Sequence, residues 1–97
     1  MQKGGCVYIV TNTHNTVLYT GVTSNLISRI SEHKNKHYPK AFTAKYNCGK
    51  LVFYNFYSTI EEAISAEKQI KAGSRQKKLN LITGMNPEWR DLYDALF

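Results

Sequence analysis

The chain has 97 residues, 42% of them hydrophobic and 12% aromatic, and a formal net charge of +6. That length suits one domain with one modest core, because a chain this size buries only roughly 60–65% of its unfolded surface. The composition argues against disorder, and no apolar run approaches the ~20 residues that a membrane-crossing helix needs.

The N-terminal Met1-Gln2-Lys3-Gly4-Gly5 runs directly into strand-like sequence, leaving no room for a signal peptide and making a cytoplasmic protein the expectation. Cys6 to Thr11 and Val17 to Val22 are short β-branched runs separated by the polar turn Thr11-Asn12-Thr13-His14-Asn15-Thr16, which predicts a hairpin. Each run carries a tyrosine, Tyr8 and Tyr19, and a buried phenol must find a partner for its hydroxyl. Thr23-Ser24-Asn25 supplies N-cap candidates for a helix over residues 26–36, with Leu26, Ile27 and Ile30 apolar. Arg29 and His33 lie one turn apart on a shared face of it. Residues 37–50, holding Pro39 and Gly49, read as a long basic loop whose Phe42 and Tyr46 face either the core or a nucleobase. Leu51 to Tyr57 is a third strand.

Thr59-Ile60-Glu61-Glu62 is a capping-box signature, so a helix opens there and runs to about Ala72. Gly73-Ser74 separates it from a further helix over Arg75 to Thr83, ended by Gly84. Asn86-Pro87 reads as an N-cap and first-turn residue, and Trp89, Leu92, Tyr93 and Leu96 give the stripe of a C-terminal amphipathic helix over residues 87–96. The order predicts an α+β fold: a small three-stranded antiparallel sheet flanked by helices, in a single domain over residues 1–97.

Charge is uneven along the chain. Residues 34–50 hold five lysines and no acid, including Lys34, Lys36, Lys40 and Lys45. Residues 68–78 hold Lys68, Lys71, Arg75, Lys77 and Lys78, again with no acid. Two such blocks suit a polyanion, DNA first or RNA; the bland alternative is a solvated basic surface. Membrane binding is not expected, since neither block accompanies a bulky apolar face. Cys6 and Cys48 make no disulfide framework and read as reduced thiols, and with His33 and His37 they lack the close pair a zinc finger needs.

Glu67 is the other pointer. It falls on the inward stripe that Ile60, Ala63, Ile64 and Ile70 mark by helical spacing, where a carboxylate needs a cation or donors to stay ionised. A structural ion pair with Lys71 or Lys68 is the competing explanation. Arg29, beside an apolar stripe, equally suits snorkelling to solvent.

Taken in order, Val7-Tyr8, Tyr19-Thr20-Gly21, Arg29, His33 and Glu67 resemble the GIY-YIG nuclease family, over residues 4 to about 82. The first motif reads Cys6-Val7-Tyr8 in place of Gly-Ile-Tyr, which keeps the phenol. The resemblance, closest to small stand-alone bacterial members, implies a metal-dependent endonuclease hydrolysing phosphodiester bonds in DNA or another nucleic acid. It implies that Glu67 holds Mg²⁺ or Mn²⁺, that Arg29 meets the scissile phosphate, and that Tyr8 or Tyr19, acidified by nearby cations, takes a proton from water. His33 then bonds a tyrosine hydroxyl or the water, or caps the polar side of its helix. Gly21 allows close backbone packing at the strand end, beside the site. Asn80 stands near the place of the family's late asparagine, where spacing varies among relatives, while Asn86 is explained as a helix cap. The Lys34, Lys36, Lys40, Lys45, Lys71, Arg75, Lys77 and Lys78 side chains are the candidate nucleic-acid contacts. The alternative to the enzyme is a binding module of the same fold that cleaves poorly or not at all.

Overall fold

Three strands carry the fold in this computed structural model: β1 over Gly5–Thr11, β2 over Leu18–Thr23 and β3 over Lys50–Tyr57. They form one antiparallel sheet in the order β2-β1-β3, so the first strand is central. The structure describes residues 4–97; Met1–Lys3, the start of the segment expected to lead into the first strand, lie outside the described residues.

Every residue of β1 is buried, which explains why its sequence reads as a continuous apolar run rather than an alternation. Its two faces still serve different layers. Cys6, Tyr8 and Val10 pack with Leu26 and Ile30 of α1 (Leu26–Lys34), and with Cys48 and Leu51. Ile9 packs on the opposite face with Val52, Phe53 and Ile82. That second face is covered by α3 (Ile60–Ala72) and α4 (Arg75–Met85), with Ile70 and Ile82 as their contributions. At Gly5 an added Cβ would stand 2.6 Å from the Ala63 Cβ, so α3 sits as close to the sheet as a bare backbone allows.

The caps follow the sequence. Asn25 accepts from the Ser28 N–H at the start of α1. Thr59 and Glu62 form the reciprocal capping box of α3. Ser74 caps α4.

Four expectations are corrected. The loop 37–50 contains a short helix, α2 (Phe42–Lys45). Ile64 is exposed rather than inward, leaving Ala63 and Glu67 as the buried residues of α3. Gly84 does not end α4, which continues to Met85 with Asn86 as its C-cap.

Residues 87–96, expected as an amphipathic helix, are irregular up to a single 3-10 turn at Tyr93–Leu96. The reason is tertiary. Asn86 spends its side chain on the Val52 and Arg90 carbonyls and the Arg90 N–H. Trp89 takes a φ of 55°, the left-handed region that breaks a helix. The tail then pairs with β3, the Leu92 N–H donating to the Leu51 carbonyl at 2.7 Å and the Asp91 carboxylate accepting from the Leu51 N–H. The apolar stripe is divided between layers: Trp89 packs with the Ile9 cluster, and Leu92, Tyr93 and Leu96 pack with the Tyr8 cluster. A straight helix cannot serve both faces of one sheet.

Candidate functional site

The antiparallel register sets Tyr8 opposite Gly21 and Val10 opposite Tyr19, so both tyrosines project from the same face, towards α1. Tyr8 is fully buried and lies across the neighbouring strand. A Cβ at Gly21 would stand 2.3 Å from its hydroxyl oxygen, so glycine there makes room for a side chain rather than for backbone.

The Tyr8 hydroxyl meets His33 Nε2 at 2.8 Å, and His33 Nδ1 meets Thr43 Oγ1 at 2.9 Å. A neutral imidazole has one donor and one acceptor nitrogen, and either tautomer satisfies both hydroxyls. Burial, with the Arg29 charge adding to it, pulls His33 down to about 4. Of the three sequence-level roles for His33, bonding to a tyrosine is the one its geometry fulfils. Burial also pushes the Tyr8 phenol up to about 12 despite the opposing pull of Arg29. At Tyr8 the environment therefore works against the acidification that a phenolic base requires.

Tyr19 has a different setting. It is only partly buried, and among the described residues its hydroxyl makes no hydrogen bond to another protein group. Its ring lies 5.9 Å from His33 and 5.9 Å from Phe42, and Lys71 Nζ stands 5.5 Å from its centre. Tyr19 lines a cleft of about 340 Å³ together with Arg29, Glu32, His33, Lys36 and Phe42. A second hollow of about 280 Å³, lined by Thr20, Lys71 and Lys78, shares Tyr19 and Phe42 as its wall. Arg29 pairs with Glu32 at 3.1 Å and sits 5.9 Å from the Tyr38 ring centre.

Glu67 occupies the inward position that helical spacing assigns it, 8% exposed and one turn beyond Ala63. Its Oε2 lies 2.7 Å from Lys71 Nζ, the i,i+4 pairing weighed in the sequence. Hydrogen bonding to Glu67 raises the Lys71 ammonium above its ordinary value. Among the described residues no group of three His, Cys, Asp or Glu side chains converges to hold a metal. A Mg²⁺ or Mn²⁺ ion that keeps most of its waters accepts a single carboxylate, so Glu67 fits such an ion once Lys71 shares or leaves it.

The basic residues separate by use. Lys36 lines the Tyr19 cleft, Lys71 and Lys78 line its neighbour, and Lys45 stands 5.6 Å from the Tyr46 ring centre. Lys40 is exposed. Lys34 is paired with Asp91, Arg75 donates to the Thr16 carbonyl at 3.0 Å, and Lys78 also donates to the Gly73 carbonyl at 3.2 Å. Lys77 and Asn80 line a different groove, on α3 and α4. Asn80 accepts from Gln76 at 3.0 Å and is not brought to the Tyr19 cleft. Three residues of the site escaped the sequence reading: Glu32, Tyr38 and Thr43. Glu32 announced itself by its i,i+3 spacing from Arg29. Thr43 carried no local signal, because only the path of the 37–50 segment brings it to His33.

Comparison with known proteins agrees with this architecture. The chain is 38% identical over 82 residues to a UPF0213 protein of Syntrophus aciditrophicus, covering 84% of this chain and 92% of the relative. It is 43% identical over 70 residues to a UPF0213 protein of Clostridium perfringens, covering 68% of this chain and 70% of that one. The solution NMR structure of a UPF0213 protein from Bacillus halodurans matches with a TM-score of 0.54 at 28% identity, over 90% of each chain. No helix among the described residues is long and apolar enough to cross a membrane. Residues 4–80 match the family described as the GIY-YIG catalytic domain, and the chain belongs to the GIY-YIG family.

Proposed function

We propose that the protein is a nucleic-acid-binding GIY-YIG module that holds a phosphodiester backbone at the Tyr19 cleft and cleaves it weakly. One observation carries this reading. The groups suited to binding face solvent, whereas Glu67 is closed on Lys71 and Tyr8 is buried on His33. Arg29, at the cleft with Glu32 on one of its nitrogens, offers its remaining donors to a phosphate, and Lys36 and Lys78 add positive charge on either side of the Tyr19 ring. The net charge of +6 draws a polyanion to that face.

The second reading, a metal-dependent endonuclease, is favoured by the joint presence of Tyr8, Tyr19, Arg29, His33 and Glu67 in one chain of this family. A Mg²⁺ or Mn²⁺ ion on Glu67 would supply charge to the phosphoryl oxygens of the transition state. The rest would fall to the chain's own groups. Arg29 balances charge on the non-bridging oxygens. The Tyr19 hydroxyl, free to face the cleft, orients the attacking water. Tyr8 and His33 hold each other in place, and with the phenol pushed up and the imidazole pulled down, Tyr19 is the better placed of the two tyrosines to take the water's proton.

Binding and cleavage measured together decide between the two. With about four to six phosphate contacts, affinity should fall roughly a hundredfold or more between 50 and 200 mM salt, and a flat titration would remove nucleic acid from the account. Cleavage of single-stranded, duplex, branched and RNA substrates with Mg²⁺ or Mn²⁺ should stay well below the ~1 per second floor of ordinary enzymes. Faster turnover, abolished by Glu67→Gln while binding persists, would replace the binding module with the endonuclease.

A further inference from the structure

The short helix α2 presents two unlike faces. Thr43 and Ala44 are buried, with Thr43 anchored on His33 and its carbonyl accepting from the Cys48 N–H at 2.7 Å. Phe42, Lys45 and Tyr46, at i, i+3 and i+4, share the opposite face. Phe42 is 46% and Tyr46 42% exposed, and nearby Tyr38 is 54% exposed. Three of the five exposed phenylalanine and tyrosine rings among the described residues therefore fall between positions 38 and 46. Rings scattered singly over a surface need no explanation, but rings gathered beside a cleft do.

These rings are joined to the site. Centroid steps of 5.9 Å from His33 to Tyr19, 5.9 Å from Tyr19 to Phe42 and 4.7 Å from Phe42 to Tyr46 make a continuous aromatic path from the cleft to solvent. Cations accompany it, with Lys45 beside Tyr46 and Arg29 beside Tyr38. Because α2 is pinned through its buried face, the platform is held in place before any ligand arrives.

We infer that this surface is a base-stacking platform, and that the nucleic acid held at the Tyr19 cleft is single-stranded or splayed rather than a continuous duplex. The inference rests on the proposed nucleic-acid binding and names its substrate class. In a duplex each base has both faces covered by its neighbours, which leaves the phosphates to the lysines and nothing for the rings. An unpaired strand offers both, with charge for Arg29, Lys36 and Lys45 and open base faces for Tyr38, Phe42 and Tyr46.

The test measures, at one salt concentration, binding of the full chain to labelled strands of about 12 nucleotides, a length within the span of known single-strand binders. The probes are oligothymidylate, oligouridylate, an abasic strand of equal charge and a blunt duplex. Oligothymidylate should bind about tenfold or more tighter than the duplex, and the abasic strand should lose that advantage. The paired change Phe42→Leu and Tyr46→Leu keeps apolar bulk but removes the ring faces, and should lower the single-strand-to-duplex affinity ratio about tenfold. The abasic probe answers the question on the unaltered protein if that variant fails to fold. The tighter of the DNA and RNA strands identifies which sugar the platform accepts. Duplex affinity equal to single-strand affinity, or abasic binding equal to oligothymidylate binding, overturns the platform while leaving nucleic-acid binding intact. Absence of binding to every probe overturns both.

Discussion

Tyr8 and Tyr19 are the same residue on paired strands, pointing to the same side of the sheet, yet their surroundings have little in common. Tyr8 is sealed under α1, its ring laid over Gly21 and its hydroxyl committed to His33. Tyr19 looks into a cleft with a lysine beside its ring, and among the described residues no group bonds its hydroxyl. A motif built on two phenols therefore does not imply two equivalent groups. The central strand buries one tyrosine against His33, and the edge strand leaves the other lining the cleft.

The sharpest way to break this contrast is Gly21→Ala. The new Cβ would meet the Tyr8 hydroxyl at 2.3 Å and its ring carbon at 2.4 Å, and a fully buried ring has nowhere to go. Alanine's small gain in restricting the unfolded chain, ~0.4–1 kcal/mol, is outweighed by overpacking of about 3 kcal/mol. Urea unfolding should show that loss; a change under about 0.5 kcal/mol would mean that Tyr8 does not lie over Gly21.

Acid titration probes the Tyr8–His33 contact next. His33 is held down at about 4 when folded and has an ordinary value of 6.5, so between these the unfolded chain binds more protons. Stability from this residue is complete above about pH 6.5 and is lost as pH falls towards 4, by up to about 3 kcal/mol. His33→Gln should flatten that limb of the stability–pH curve. An unchanged limb would show that His33 titrates freely.

The smallest effects separate the tyrosines directly. Tyr8→Phe strands a buried imidazole nitrogen and should cost about 1–2 kcal/mol, whereas Tyr19→Phe should stay within about 0.5 kcal/mol. The order should reverse for ligand binding, where the Tyr19 hydroxyl at the cleft matters more than the Tyr8 hydroxyl beneath it. Equal stability losses in the two variants would erase the distinction between them.

The elements that local chemistry specifies were legible in the sequence. The hairpin, the Thr59–Glu62 capping box and the Asn25 cap appear where residue type and spacing put them. Glu67 was readable as inward because helical geometry needs no tertiary knowledge, and Lys71 was readable as its partner by i,i+4 spacing. What escaped depends on contacts distant in sequence. The stripe from Trp89 to Leu96 has helical spacing, but its residues are distributed between the two faces of the sheet. The seating of α2 under His33 requires the 37–50 segment to fold back, which no periodicity announces. The separation of Tyr8 from Tyr19 requires knowing which strand is central.

The C-terminal tail has a consequence for self-association. A sheet of three strands has two open sides, and each unpaired backbone row can recruit a matching strand from another copy. By bonding to both the N–H and the carbonyl of Leu51, residues 91 and 92 occupy part of one such side. Asp91 and Leu92 thus shield the Leu51 stretch of that edge, and a chain cut at Asn86 would leave those backbone groups open to pairing with another copy.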